Sequence, residues 1–255
     1  MQLGALALGI GVLAGAVVNI LAEILPHFGL QDENTGDETS EIVQTDAAQV
    51  GGSTKRWNLE RYIVITIILI PLIGFALSQP PPHAIPIAFY MIVLTLISVI
   101  DIEHRLVLSI VLLPSFLIAF VEILITHRIH VVDALVGYAV AQIIVMLYYL
   151  MGGLYLRIVN ARRKDPVTEI AFGFGDVSLA TFCGLIVGYP HVVYMLILMA
   201  LIGGVMAFGY LVVRLVIVRR YEAHMAFPYG PAITIAAAAM LLWGDQIVYY
   251  LLGGR

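Results

Sequence analysis

Cysteine is nearly missing from this 255-residue chain, in which Cys183 stands alone. A single thiol excludes a disulfide framework and a cysteine-built zinc cluster, and it leaves the redox compartment unreadable. Charge is scarce too, since Asp, Glu, Lys and Arg make up only 12% of the residues. No basic stripe with interleaved aromatics occurs, which argues against nucleic acid as a partner. No repeat of roughly 20 to 50 residues stands out. What the chain has in abundance is apolar: 61% hydrophobic residues and a mean hydropathy of +0.99. Those values describe an integral membrane protein. The formal net charge of −4 says little about partners once most of the chain lies in lipid.

A helix crossing a bilayer needs about 20 predominantly apolar residues. Runs near that length fall at roughly 3–24, 62–79, 85–100, 106–126, 131–156, 166–189, 192–218 and 228–251 on a hydropathy reading. The fold class that follows is all-α, a polytopic membrane bundle of about eight helices forming a single domain over 1–255. The first run lacks a basic n-region, and ILPHFGLQDENT has no A-x-A-like cleavage site, so it is expected to be retained. With eight crossings the loops alternate sides. One set holds Lys55, Arg56, Arg61, Arg105, Arg157, Arg162, Arg163, Lys164, Arg214, Arg219 and Arg220, while the other holds only Arg128 and the terminal Arg255. The excess of basic residues predicts that the first set is cytoplasmic and that both termini lie outside.

The longest polar stretch, 27–58, carries Asp32, Glu33, Asp37, Glu38, Glu41 and Asp46 before its first cation. It reads as an acidic cytoplasmic loop. One function is a solvated connector; the other is an attractor that raises the local concentration of a basic substrate segment.

In AFGFGDVSLATFCGL, residues 171–185, an acid stands at the mouth of an apolar run. An ionisable group at membrane depth is costly and needs a partner or a function. The run from Val177 to Tyr189 holds 13 residues, about 20 Å of a hydrocarbon core about 30 Å thick. Asp176 is therefore expected inside the cytoplasmic leaflet or in a cavity opening into it. Gly173 and Gly175 can take angles closed to other residues and bare their backbone to an extended peptide. Equally, GFGD can be an ordinary helix start with Asp176 as its N-cap.

A second acid on the same side of the membrane sharpens the choice. In LTLISVIDIEHRLVL, residues 94–108, Asp101 follows an apolar run. Two neighbouring carboxylates hold one proton between them more cheaply than two charges. Such a pair works as acid and base together, one drawing a proton from water while the other donates to a scissile carbonyl oxygen.

At this point the residues resemble a family, the type IV prepilin peptidases among the GxGD membrane aspartyl proteases. GFGDVSLATFCGLIVGY at 173–189 is similar to the GxGD span, and VIDIEHRLVL at 99–108 to the first-aspartate segment. MAFPYGPAITIAAAAMLLWG at 225–244 is similar to the terminal Pro-Phe-Gly-Pro span, and GIGVLAGAVVNILAEILP at 9–26 to the glycine-rich first helix. The four segments keep the family's order. The resemblance implies an eight-helix enzyme of the inner membrane, with Asp101 and Asp176 catalytic near the cytoplasmic face and Gly173 and Gly175 shaping the loop. It implies cleavage of short basic leaders from prepilins of type IV pili or pseudopilins of type II secretion. No cofactor is implied for proteolysis. In many members S-adenosylmethionine serves a second reaction, N-methylation of the new N-terminus, whose site is not located here.

The chain departs from the family in three places. The loop after the first helix lacks the two Cys-x-x-Cys pairs of many bacterial members, so no metal site is assigned. The methylation site is unidentified. Val107, Leu108 and Ser109 stand where a Pro-Asp or Pro-Asn pair often follows the first aspartate. Alternatives from other classes remain: a presenilin-like or signal-peptide-peptidase-like protease, against which Ile100 stands where those families set tyrosine; a transporter using intramembrane carboxylates; and an inactive assembly factor. Asn19 and Glu23 suit either substrate or methyl-donor contact or helix packing. Glu122, Asp133 and Asp245 are expected to be solvated at the external interface. His127 and His130 have too few partners for a metal site. Glu103 and Arg105 either tune the acid pair or face water, the latter being expected, and Pro228, Gly230 and Pro231 are expected to break and restart a helix, with Gly230 lining the cavity only secondarily.

Overall fold

The computed structural model describes residues 2–32, 54–104, 109–161, 173–213 and 229–252. Among them lie eight helices: α1 (Gln2–Asp32), α2 (Thr54–Leu77), α3 (Pro81–His104), α4 (Ser109–Thr126), α5 (Val131–Asn160), α6 (Phe174–Val187), α7 (His191–Val213) and α8 (Gly230–Leu251). In hydrocarbon a backbone must satisfy its own N–H and C=O groups, and a helix does so within one segment. Six of the helices are long and apolar enough to cross a bilayer, whereas the apolar stretches Arg61–Leu77 and Phe174–Val187 are shorter. The chain is a polytopic helical membrane protein. Its contacts divide it into two compact units, Met1–Ile100 with Leu108–Val111, and Asp101–Val107 with Leu112–Arg255.

The polar stretch expected as a loop over 27–58 is narrower than its composition suggests, because α1 continues through Asp32 and α2 starts at Thr54. Once nucleated, a helix gains a hydrogen bond for each residue it adds, so it runs past the point where polarity changes. Residues 33–53, with most of the acidic run, lie outside the described residues, as does the first part of the span expected at 166–189.

In the first unit α1 and α2 form an antiparallel pair. Ala7 meets Gly74, Gly11 meets Ile70 and Gly15 meets Thr66, a ladder of small residues that lets two backbones approach closely. Beyond it the Arg61 guanidinium donates from Nε to the Asn19 side-chain oxygen at 2.6 Å and from a terminal nitrogen to the Asn19 carbonyl at 3.1 Å. The opposite face of α1, with Leu13, Val17 and Ile20, is exposed, as a lipid-facing surface must be.

In the second unit α6 is buried from Asp176 to Val187 except at Ser178 and packs against α5 and α8. Its seam with α5 is built from Gly137 and Ala141 on one side and Gly184 on the other. A Cβ added at Gly184 would lie 2.5 Å from the Ala141 Cβ and 2.6 Å from the Gly137 carbonyl oxygen. Thr181 and Gln142 join the same two helices through a side-chain hydrogen bond of 2.7 Å. At the C-terminal end of α6, Arg128 donates to the Ile186 carbonyl at 2.7 Å, satisfying one of the acceptors a helix leaves open there. Glu122 corrects an expectation. Its side chain is only 9% exposed and pairs with Arg128 at 3.5 Å rather than resting in interfacial water, and Thr126 donates to it at 2.6 Å. A buried charge needs such partners, and the turn after α4 supplies them. Asp245 is exposed, as expected, and meets His191 at 3.0 Å, while the Asp133 carbonyl accepts the Tyr189 N–H at 2.9 Å.

Overpacking a seam without free volume costs about 1–3 kcal/mol. Gly184→Ala is expected to lower the unfolding free energy in detergent by about that amount. Gly152→Ala, in α5 with nothing within 4 Å of the new Cβ, is expected to be neutral or to gain up to about 1 kcal/mol from helix propensity. Equilibrium unfolding of the two variants beside the parent chain checks the contrast.

Candidate active site

The first acid reaches the interior because of its helical register. Along α3 the buried positions Ile87, Tyr90, Leu94 and Ile97 recur at three- and four-residue spacing, and one more step of the series arrives at Asp101, which is 4% exposed. The apolar stripe that positions the helix thus also carries a carboxylate inward.

The second acid is held by the start of its own helix. Gly173 is the N-cap of α6, with φ −80° and ψ 156°, and Asp176 is the third helical residue rather than the cap itself. The Gly173 N–H donates to Asp176 Oδ2 at 3.1 Å, and the Asp176 N–H donates back to the Gly173 carbonyl at 3.1 Å. A carboxylate at this position satisfies one of the amides that a helix start leaves open. Neither Gly173 nor Gly175 takes positive φ, so an unusual dihedral does not account for either glycine. Phe174 is exposed and places its ring edge-on to Tyr149 of α5, centroids 6.1 Å apart.

The start of α8 completes the arrangement. Of its first four residues, Ala232 and Ile233 donate their N–H groups to the Tyr229 carbonyl at 3.0 and 3.2 Å, and Pro231 has no N–H to give. The remaining amide, that of Gly230, donates to Asp101 Oδ2 at 2.9 Å. A Cβ at Gly230 would fall 2.5–3.0 Å from the Oδ2, Cγ and Cβ atoms of Asp101, so only glycine lets the helix start come this close. Both acids therefore accept a backbone amide at a helix N-terminus, where the amide dipoles favour negative charge. Asp176, 9% exposed, also lies within electrostatic reach of Asp101.

Sequence reasoning treated Gly230 as part of a helix break. Its sequence signal is the Gly-Pro step, which leaves a single donor at the helix start, but the acceptor lies 129 residues away. Asn19 belongs to the packing of α1 on α2, with both its oxygens taken by Arg61, and Glu23 is exposed. Glu103 is exposed and sits 3.9 Å from His104; Arg105 and Pro228 lie outside the described residues. His127 and His130 are exposed, and no three potential metal ligands converge among the described residues.

Residues 88–208 match the type IV leader peptidase family, and this segment contains Asp101, Gly173, Gly175 and Asp176. A prepilin leader peptidase/N-methyltransferase of Aeromonas hydrophila is 32% identical over 80 residues, 31% of this chain and 26% of that protein. One of Pseudomonas aeruginosa is 28% identical over 150 residues, 59% of this chain and 46% of that protein. The chain thus spans about a quarter to a half of the length of these curated relatives. No solved structure matches. Over just under half of its length, in the segment that holds Asp101 near the end of α3 and Asp176 at the start of α6, the chain is similar to the type IV leader peptidase family.

Proposed function

We propose that this protein is a membrane aspartic endopeptidase that removes the basic leader from type IV prepilins or type II secretion pseudopilins at the cytoplasmic face of the inner membrane. The observation that carries the reading is that Asp101 and Asp176 are both buried, each with one oxygen engaged by a backbone amide, and lie within electrostatic reach of one another. With one proton between them, the ionised carboxylate takes a proton from a water molecule as its oxygen attacks the scissile carbonyl. The protonated carboxyl gives its proton to the carbonyl oxygen. The resulting diol collapses when the carboxyl that took up water's proton passes it to the leaving nitrogen. The C–N bond breaks, and the other carboxylate recovers a proton from the diol. Water is consumed, no covalent enzyme adduct forms and no cofactor enters.

The cytoplasmic placement is supported by the excess of Lys and Arg on one set of loops, the set adjoining both acids. N-methylation of the new N-terminus from S-adenosylmethionine is a second reaction compatible with this reading, with no residue assigned to it.

Replacing either acid with asparagine separates chemistry from folding, because the amide side chain keeps an oxygen acceptor. Asp101→Asn and Asp176→Asn are expected to leave membrane accumulation unchanged and to abolish leader removal, read as the mass of a co-incubated prepilin. A normally processed product from either variant would overturn the assignment. Asp176→Ala, which removes the acceptor for Gly173, is expected to lose about 1 kcal/mol of stability in addition, measured by unfolding against Asp176→Asn.

The acidic run suits a basic leader. Converting Glu33, Asp37, Glu38, Glu41 and Asp46 to their amides is expected to raise KM several-fold at low ionic strength. The difference should close near 1 M salt, where screening shortens the reach of charge to about 3 Å. Equal KM values at low salt would remove electrostatic capture from the proposal.

A further inference from the structure

The hydrogen bond from Gly230 to Asp101 depends on where α8 begins, and the residue just before it is seated elsewhere. Tyr229 is the N-cap of α8 and makes no side-chain capping bond. Its ring lies against Gly203, a buried residue of α7. A Cβ at Gly203 would fall 2.6 Å from Cε1, 3.1 Å from Cζ and 3.3 Å from Cδ1 of that ring. The missing side chain of Gly203 is therefore a notch that the aromatic ring fills. The Tyr229 carbonyl in turn accepts the amides of Ala232 and Ile233, so the residue lodged in the notch also closes the first turn of α8. Gly230, next in the chain, is left with its N–H directed at Asp101 Oδ2.

We propose that Tyr229, seated in the Gly203 notch of α7, is a positioning residue that sets the start of α8 against Asp101 and so fixes one carboxylate of the pair. The inference rests on the peptidase reading for its kinetic consequence but not for its structural one. A displaced ring moves the Tyr229 carbonyl and the Gly230 amide together, since they flank one peptide bond. Asp101 would then lose its backbone donor with no change in either acid. Misplacing a reacting group by about 1 Å can cost about a hundredfold in rate. The expected signature is a fall in kcat with little change in KM, because the group displaced is a reacting one.

Gly204 supplies the control. It neighbours Gly203 in the same helix, but a Cβ there meets nothing within 4 Å. Gly203→Ala and Gly204→Ala carry the same gain in helix propensity and differ only in the notch. The full chain in lipid bilayers is assayed with a prepilin, and amide hydrogen exchange is followed over residues 229–234. Gly203→Ala is expected to lower kcat about tenfold or more, to hold KM within about twofold, and to speed exchange in the first turn of α8; Gly204→Ala should match the parent in all three. If Gly203→Ala does not accumulate in the membrane, Tyr229→Ala, which empties the notch from the other side, carries the same expectation. Parental kcat and exchange in the notch variant, or equal losses in both glycine variants, would overturn the inference. If the parent chain cleaves no prepilin, the peptidase reading fails, and the exchange contrast alone still decides whether the notch positions α8.

Discussion

Keeping two carboxylates away from bulk water is the constraint around which the second unit is organised. Desolvation of a charge is costly, and the unit offsets it with the donors that helices already leave unused at their N-termini. Gly173 serves Asp176 and Gly230 serves Asp101. This is an economical arrangement for an apolar interior, since the donors belong to the backbone and need no further side chain. Backbone amides stabilise a charge without adding a group that titrates.

Much of this was legible in the sequence, and the reasons differ from residue to residue. The apolar runs mapped onto helices because length and hydropathy are local properties. The helix boundaries did not map as well. Composition marks where the chain turns polar, whereas α1 carries its hydrogen-bond ladder on to Asp32. Asp101 was legible because it follows an apolar run on the same side as the other acid, and Asp176 because two glycines and an acid open an apolar run; the three- and four-residue spacing that turns Asp101 inward shows only in the structure. Gly230 was not, since a hydrogen bond to a residue in another helix leaves no mark in its own neighbourhood. Glu122 was misread for the same reason. Proximity to the end of a span suggests solvation, but the Arg128 that neutralises it reaches back from the following turn.

The family match and the site only partly coincide. Residues 88–208 hold both acids, yet the donor to Asp101 comes from Gly230, beyond that segment. The resemblance of residues 225–244 to the family's Pro-Phe-Gly-Pro span gains a physical content here. Proline removes one donor, the Tyr229 carbonyl occupies the next two, and glycine admits the carboxylate to the last. A motif that reads as a helix break is, in this setting, a way of leaving one amide uncommitted.

Helix α6 is held at both extremities, by the reciprocal bonds between Gly173 and Asp176 at its start and by Arg128 on the Ile186 carbonyl at its close. Between them it is enclosed by neighbours along nearly its whole length. Such a helix behaves as a fixed post. Asp176 takes its backbone donor from the start of that same helix, so the post carries acid and donor together.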